Sequence, residues 1–413
     1  MERFDQSVSP LASIAGDGIG TDVALFLKGS GPGGVERTAL RLVAGWRATG
    51  VGVSLTVGVA DGALTPGSGM CQVSRAWPVV GTRWPLTRLT WSMWRHLRRD
   101  RPAILFCPGN SYTLVAVLLK TLLGRACPLI VAKISNDLER HDMPRAVRPF
   151  YRAWLLVQGR MIDHFAVLSA PMGAQVARLM HVATARVHVV PNPVLSHTDW
   201  VSIERADKPV QLGRRFVAVG RLERQKDYPA MLRAFASGAK ADDRLTICGE
   251  GRERDALARL TGSLGIAERV HFAGHRADIR KELCDHDVLL LTSLYEGQPS
   301  AVVEALSVGL AIVATRCCAG MAELLDNGAL GTLVESGDAV ALARAVARAV
   351  PGQQDRARAC AKARSFSIEA AIPAYMALFA RVIAERQARD AALPAAPQPL
   401  PSKTLQSTSA SPA

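Results

Sequence analysis

The stretch Asp287–Thr315, DVLLLTSLYEGQPSAVVEALSVGLAIVAT, carries the decision about the fold. It opens on a short apolar run of strand length and passes through a polar turn holding Gly297 and Pro299. It then takes up helical spacing and ends in a second β-branched run, AIVAT. A strand, a helix and a strand within about thirty residues make a crossover unit, which joins parallel strands buried on both faces. Pro299 is expected at the first helical position, where its missing N–H costs nothing. Glu296 then lies at the end of a strand, and Glu304 falls one turn beyond Ser300, near the start of the helix.

Working outward, the same alternation recurs along the chain. DVALFLKG, VSLTVGVA, AILFCPG, LIVAKIS, HFAVLS and VHVVPN precede a polar, irregular stretch around Leu195–Arg214, and FVAVG, RLTICG, RVHFAG, DVLLLTS, AIVAT and GTLV follow it. The expected architecture is therefore α/β, with two doubly wound Rossmann-like domains facing across a cleft. Their boundaries are placed at 1–195 and 214–370, with a linker at 196–213, a helix over 371–389 returning to the first domain, and a disordered tail at 390–413 that lacks an apolar face. Ligands of such sheets bind outside the carboxyl ends of the strands, so the cleft is the natural active site.

Composition narrows the class. The 413 residues are 49% apolar and 21% charged, which suits a soluble globular protein of about two domains, and the net charge of +14 calls for an acidic partner such as a phosphorylated substrate, anionic lipid or nucleic acid. The longest apolar stretch, around Tyr112–Gly124, holds Lys120 and falls short of the roughly 20 residues a spanning helix needs. The first residues lack a signal-peptide pattern, so a cytoplasmic location is expected, with peripheral attachment at the inner face of a membrane as a further option. Eight scattered cysteines without a C-x-x-C pair read as reduced thiols.

Three places carry chemistry. Gly29, Gly31 and Gly34 have the spacing of a phosphate-binding glycine turn that opens a helix, with Pro32 inside it and Asp61 at a long distance for a ribose-binding acid. On its own this turn also suits a nicotinamide-dependent dehydrogenase, or no ligand at all. After FVAVG, Gly220 leads to Arg221 and Lys226, two cations at one strand end that suit a diphosphate without a metal; solvated surface charge is the plain alternative. Finally, Glu304 among Ala301, Val302, Val303, Ala305 and Leu306 is a carboxylate in apolar company, which needs a partner or a ligand such as the hydroxyls of a ribose.

GGVER at 33–37, VGRLERQKDY at 219–228, GEGRERDALARL at 249–260, LGIAERVHFAG at 264–274 and the E-x7-E of YEGQPSAVVEAL at 295–306 come in the order and at the intervals of glycosyltransferase family 4. The chain resembles these retaining enzymes of GT-B fold from Val23 to about Ala380. The resemblance implies that Glu304 binds the ribose of a nucleotide diphosphate sugar and that Arg221 and Lys226 meet its diphosphate. Glu296 would hold the hydroxyls of the transferred sugar. Gly297, Gln298 and Ser300 would contact sugar or phosphate, and Gly33 and Gly34 would let the first domain approach the phosphates. Cys317, Gly320 and Glu323 match a variant pattern of the same family. Where many members carry a histidine, this chain has Ser135, Asn136 and Asp137, with His141 beyond; Asn136 is taken as the polar contact near the anomeric centre. A front-side mechanism lets the leaving phosphate accept the acceptor's proton, so no protein base is required.

Asp285 and Asp287 form a D-x-D, but they precede their strand instead of following it, so no metal is assigned and no cofactor is expected beyond the donor itself. The segments Arg83–Pro102 and Arg145–His164 set arginines beside Trp and Leu, which fits either ordinary amphipathic helices or helices lying on an anionic membrane surface. No nucleic-acid recognition module is present. The expectation is thus a transferase that moves a hexose, from a UDP-sugar by preference, to a saccharide or lipid-linked saccharide acceptor.

Overall fold

The computed structural model describes residues 22–29, 34–59, 71–75, 85–140, 143–196, 213–276, 278–352 and 355–392. Gly31, Pro32, Gly33, Asp61 and His141, nearly all of the expected linker and the expected tail lie outside them.

The described chain forms two wholly parallel sheets. The first contains β1 (Val23–Gly29), β2 (Val53–Val59), β3 (Cys71–Arg75), β4 (Ile104–Cys107), β5 (Leu129–Lys133), β6 (His164–Val167) and β7 (Val187–Val189), in the spatial order 3-2-1-4-5-6-7. The second contains β8 (Arg215–Val219), β9 (Arg244–Cys248), β10 (Val270–Gly274), β11 (Val288–Leu291), β12 (Ala311–Thr315) and β13 (Thr332–Val334), in the order 10-9-8-11-12-13. Each order reverses once, between β1 and β4 and between β8 and β11. A reversal opens a crevice at the carboxyl edge, because the loops on its two sides run to opposite faces of the sheet. The central strands are fully buried apolar runs, as the sequence pattern requires. The edge strand β3 was not anticipated: CQVSR has no apolar run to mark it.

Right-handed crossovers set the helices Pro85–Asp100, Thr113–Leu123, Arg148–Met161 and Ala170–Met180 side by side as one layer on the first sheet. The helix Gly34–Ala48 packs instead with the terminal helix, which runs Ile368–Ala391, beginning before the expected start at 371. Tyr375 and Phe379 of that helix enter the core of the first sheet, with Trp46 edge-on to Phe106 and Phe379 at 5.1 Å each. Rings of this size each contribute about 2–3 kcal/mol on burial, so the helix docks firmly. The two segments that pass between the sheets also bond to each other. Val194 N–H donates to Phe366 O at 2.9 Å and Ile368 N–H to Leu195 O at 2.8 Å.

Asp287 of the D-x-D sits at the amino edge of β11, where its carboxylate accepts from the Arg215 backbone N–H at 2.9 Å and pairs with the Arg215 guanidinium. Its position serves the sheet, away from the cleft.

Candidate active site

The β8/β11 reversal gathers the second-lobe residues. The β8 strand ends at Val219, Gly220 follows, and a single 3-10 turn, Arg224–Lys226, leads into the helix Tyr228–Gly238. That helix is capped by Asp227, whose side chain accepts from Ala230 N–H. Gly220 has φ +151°, and a Cβ placed there would come within 2.9 Å of Lys226 Cε. The glycine lets the lysine lie flat over the strand end and reach the turn after β11. Lys226 Nζ there forms an ion pair with Glu296 Oε1, which also accepts from Ser293 Oγ at 2.9 Å. Both side chains are largely withdrawn from water, Lys226 at 19% exposure and Glu296 at 12%. The turn between β11 and the next helix is held from both flanks. Leu294 N–H donates to Gln225 O, Gln225 Nε2 donates to Tyr295 O at 2.8 Å, and Glu296 N–H donates to Cys317 O at 2.7 Å.

The helix Ser300–Ser307 begins with Ser300 at its first position and Pro299 as the extended residue before it. This moves Pro299 out by one place: its ψ of 105° is that of a cap, and Ser300 supplies the first helical residue. Glu304 is half-buried on this helix, between buried neighbours. Arg221 lies in the loop with Gly220 but is exposed. The structure thus brings Lys226 and Glu296 together and leaves Arg221 outside that pair.

The first lobe meets this turn with the loop after β5. Asn110, just beyond β4, accepts at Oδ1 from the backbone N–H groups of Ser135 (2.6 Å) and Asn136 (3.2 Å) and donates through Nδ2 to Asn136 O. Sequence reading passed over Asn110, although CPGNSY at a strand end was a usable signal. Asp137 then bridges the lobes. Its N–H donates to Glu296 O at 3.5 Å and its Oδ2 accepts from Ala319 N–H at 2.8 Å. Arg140 stacks over the Tyr295 ring at 4.7 Å. The approach is close enough that a Cβ on Gly297 would stand 1.5 Å from Ser135 O. Beside this contact a pocket of about 240 Å³ opens between the lobes, lined by Ser169, Gly297, Gln298, Glu323 and Phe366 among others. Gln298 Oε1 is buried there with no hydrogen-bond partner.

Nearby on the first lobe, Tyr112 OH donates to Glu36 Oε1 at 2.7 Å, which places the Glu36 of GGVER at the β1/β4 reversal. Gly34 is the first residue of its helix, at the same edge. Lys133, at the end of β5, is buried and donates to Asn192 Oδ1 at 2.6 Å; burial pulls its ammonium down to about 7.

Asp137 gives the site a pH dependence of known sign. Burial pushes its carboxyl up to about 6, against the opposing pull of the Ala319 N–H. A carboxyl raised in the folded state favours the fold most when protonated. That contribution is present below the ordinary value near 3.8 and is lost as pH rises toward about 6. Asp137→Asn is therefore expected to flatten this part of the Tm-against-pH curve. A curve between about pH 4 and 6 with the same slope in both proteins would show that Asp137 does not titrate as placed.

Two facing lobes, each a parallel sheet whose strand order reverses once, form the GT-B architecture, and solved structures agree. The lipopolysaccharide outer core galactosyltransferase WaaB in its apo form superposes with a TM-score of 0.68 over 87% of this chain and 99% of its own, at 18% identity. The Anabaena protein HepE, in complex with UDP and glucose, gives 0.66 over 89% of this chain and 100% of its own, at 17% identity. The model of the glycosyl transferases group 1 family matches residues 213–350, and that of the glycosyl transferase 4-like domain matches residues 33–193. The chain belongs to this group 1, family 4 glycosyltransferase family. Among curated relatives, the lipopolysaccharide core biosynthesis glycosyltransferase LpsE of Rhizobium meliloti (strain 1021) is 32% identical over 180 residues. That segment is 42% of this chain, and it spans about half (51%) of the relative.

Proposed function

We propose that this protein is a retaining transferase that moves a hexose from a nucleotide diphosphate sugar, with UDP as the favoured carrier, to a saccharide or lipid-linked saccharide acceptor in cell-envelope glycan synthesis. The observation that carries the reading is the Lys226–Glu296 pair at the β8/β11 reversal, one residue from Gly297, which packs against Ser135 of the first lobe. A diphosphate laid across this strand end would meet the Lys226 ammonium, with exposed Arg221 free to close on it. Glu304, one turn into the adjoining helix, is suited to the ribose hydroxyls, which donate to a carboxylate. Glu296 and the unpartnered Gln298 Oε1 offer acceptors to the hydroxyls of the sugar. Asn136, whose backbone N lies against Gly297, is the residue assigned from the first lobe to the anomeric carbon.

Concentrating positive charge at the leaving diphosphate stabilises the transition state more than the ground state, since charge builds there as the glycosidic bond breaks. The departing phosphate oxygen can then take the acceptor's proton on the same face, which preserves configuration and needs no protein base. UDP is favoured because HepE, of like fold, is seen with UDP and glucose, and the envelope role follows the names of LpsE and WaaB. The dehydrogenase alternative rests on the first glycine turn alone and leaves Lys226, Glu296 and Glu304 without a task.

Thermal-shift measurement against UDP, GDP, ADP and NAD tests the donor. A nucleotide at about a hundred times its Kd stabilises the fold by about 2.7 kcal/mol, and UDP is expected to give the largest rise in Tm. A rise with NAD and none with any nucleoside diphosphate would reject the transferase reading.

A further inference from the structure

Of the eleven strongly exposed large apolar side chains among the described residues, seven fall on three neighbouring helices of the first lobe or on a cap of one of them. Leu114, Leu118 and Leu122 form a stripe, one per turn, along the outer side of the helix Thr113–Leu123, with Leu122 59% exposed. To one side the helix Pro85–Asp100 adds Trp91, 50% exposed and stacked on Trp94 at 4.7 Å. To the other the helix Arg148–Met161 adds Val157 and Phe150, the latter 77% exposed. Large exposed apolar side chains gathered on one helix layer in this way are unusual on a protein that meets only water.

Its charge is as one-sided as its polarity. The three helices hold eight Lys and Arg residues and a single acid, Asp100, which is paired with His96 and Arg99. Arg95, Arg98, Arg99, Arg152 and Arg160 are exposed around the leucine stripe. Such a face repels a second copy of itself and attracts a surface that is anionic outside and apolar beneath. An anionic bilayer has that profile: apolar side chains enter the headgroup boundary while guanidinium groups meet phosphates. No helix among the described residues is long and apolar enough to cross a membrane.

We propose that the outer face of the helices 85–100, 113–123 and 148–161 docks this protein in the plane of an anionic lipid bilayer. The middle helix supplies the apolar ridge and its neighbours the cationic rim. The helix Arg148–Met161 starts at the carboxyl edge of β5, the edge that also carries Ser135–Asp137, so Phe150 lies toward the cleft end of the face. Docking on this face keeps the cleft end of the first lobe beside the membrane surface, where a lipid-borne acceptor would be presented.

The test is flotation of the full chain with vesicles of phosphatidylcholine alone and of phosphatidylcholine mixed with phosphatidylglycerol. Binding is expected with the anionic vesicles only, and falls as salt is raised. Leu122→Ser with Phe150→Ser, and separately Arg152→Glu with Arg160→Glu, should each lower the bound fraction by about tenfold while melting as the wild type does. Absence of flotation with either vesicle, equal flotation with both, or folded variants that float like the wild type would overturn the proposal. Retention on an acidic protein without lipid binding would do the same. Flotation needs no turnover, so its failure leaves the transferase reading standing, and failure of the nucleotide screen leaves this one standing.

Discussion

Lys226→Ala is expected to lower kcat/KM by about two to three orders of magnitude, the loss seen when one charge-stabilising group is removed from a developing anion. The lysine is already aimed: Gly220 lets its chain pass, and the Glu296 carboxylate fixes its ammonium. Removing it does two things at once. It takes away the cation that meets the leaving diphosphate, and it leaves Glu296 largely withdrawn from water with Ser293 Oγ as its remaining side-chain donor. Glu296→Gln keeps the shape and one hydrogen-bond acceptor, so its effect should fall mainly on kcat. Glu304→Ala, farther from the bond that breaks, should fall mainly on the KM for the donor. Steady-state kinetics with varied donor separates the three. Wild-type kcat/KM in Lys226→Ala would remove this lysine from the site.

Gly297→Ala should prove nearly as severe, for a different reason. One added methyl group would stand 1.5 Å from Ser135 O, so the lobes must part by an ångström or more to admit it. The contacts that depend on this approach are those of Asp137 with Glu296 and Ala319 and the stacking of Arg140 on Tyr295. A displacement of about 1 Å in reacting groups costs on the order of a hundredfold in rate, and a loss in kcat of that size is expected. Stability should change little, because each sheet keeps its own apolar core. A variant that turns over at the wild-type rate, with Tm unchanged, would show that catalysis does not need the observed closure.

Much of this molecule is legible in its sequence. Buried parallel strands must be apolar along their whole length, so LIVAK, VLLL and AIVAT announced themselves, and the polar turn between VLLL and its helix put Glu296 at a strand end. The β3 strand escaped notice because an edge strand has one neighbour, and CQVSR meets no demand for continuous apolarity. The cations after β8 were found, but as an equal pair. Whether a side chain leans back across a glycine or out into water depends on packing around the loop, and here Lys226 does the first and Arg221 is exposed.

The amino-acid sequence by itself determined two parallel α/β units and the chain position of the cations and carboxylates, which follow from local periodicity, turn chemistry and spacing, and the order of its motifs carried the resemblance to the family. The tertiary structure decided which of them meet. Lys226 reaches Glu296 across 70 residues of chain and Asp137 reaches Ala319 across 182, distances over which no periodicity reports a contact. It also decided the outward turn of Leu114, Leu118 and Leu122. TLVAVLLKTLL is apolar on nearly every side, and only its seat between two other helices shows which of its leucines are turned out to solvent.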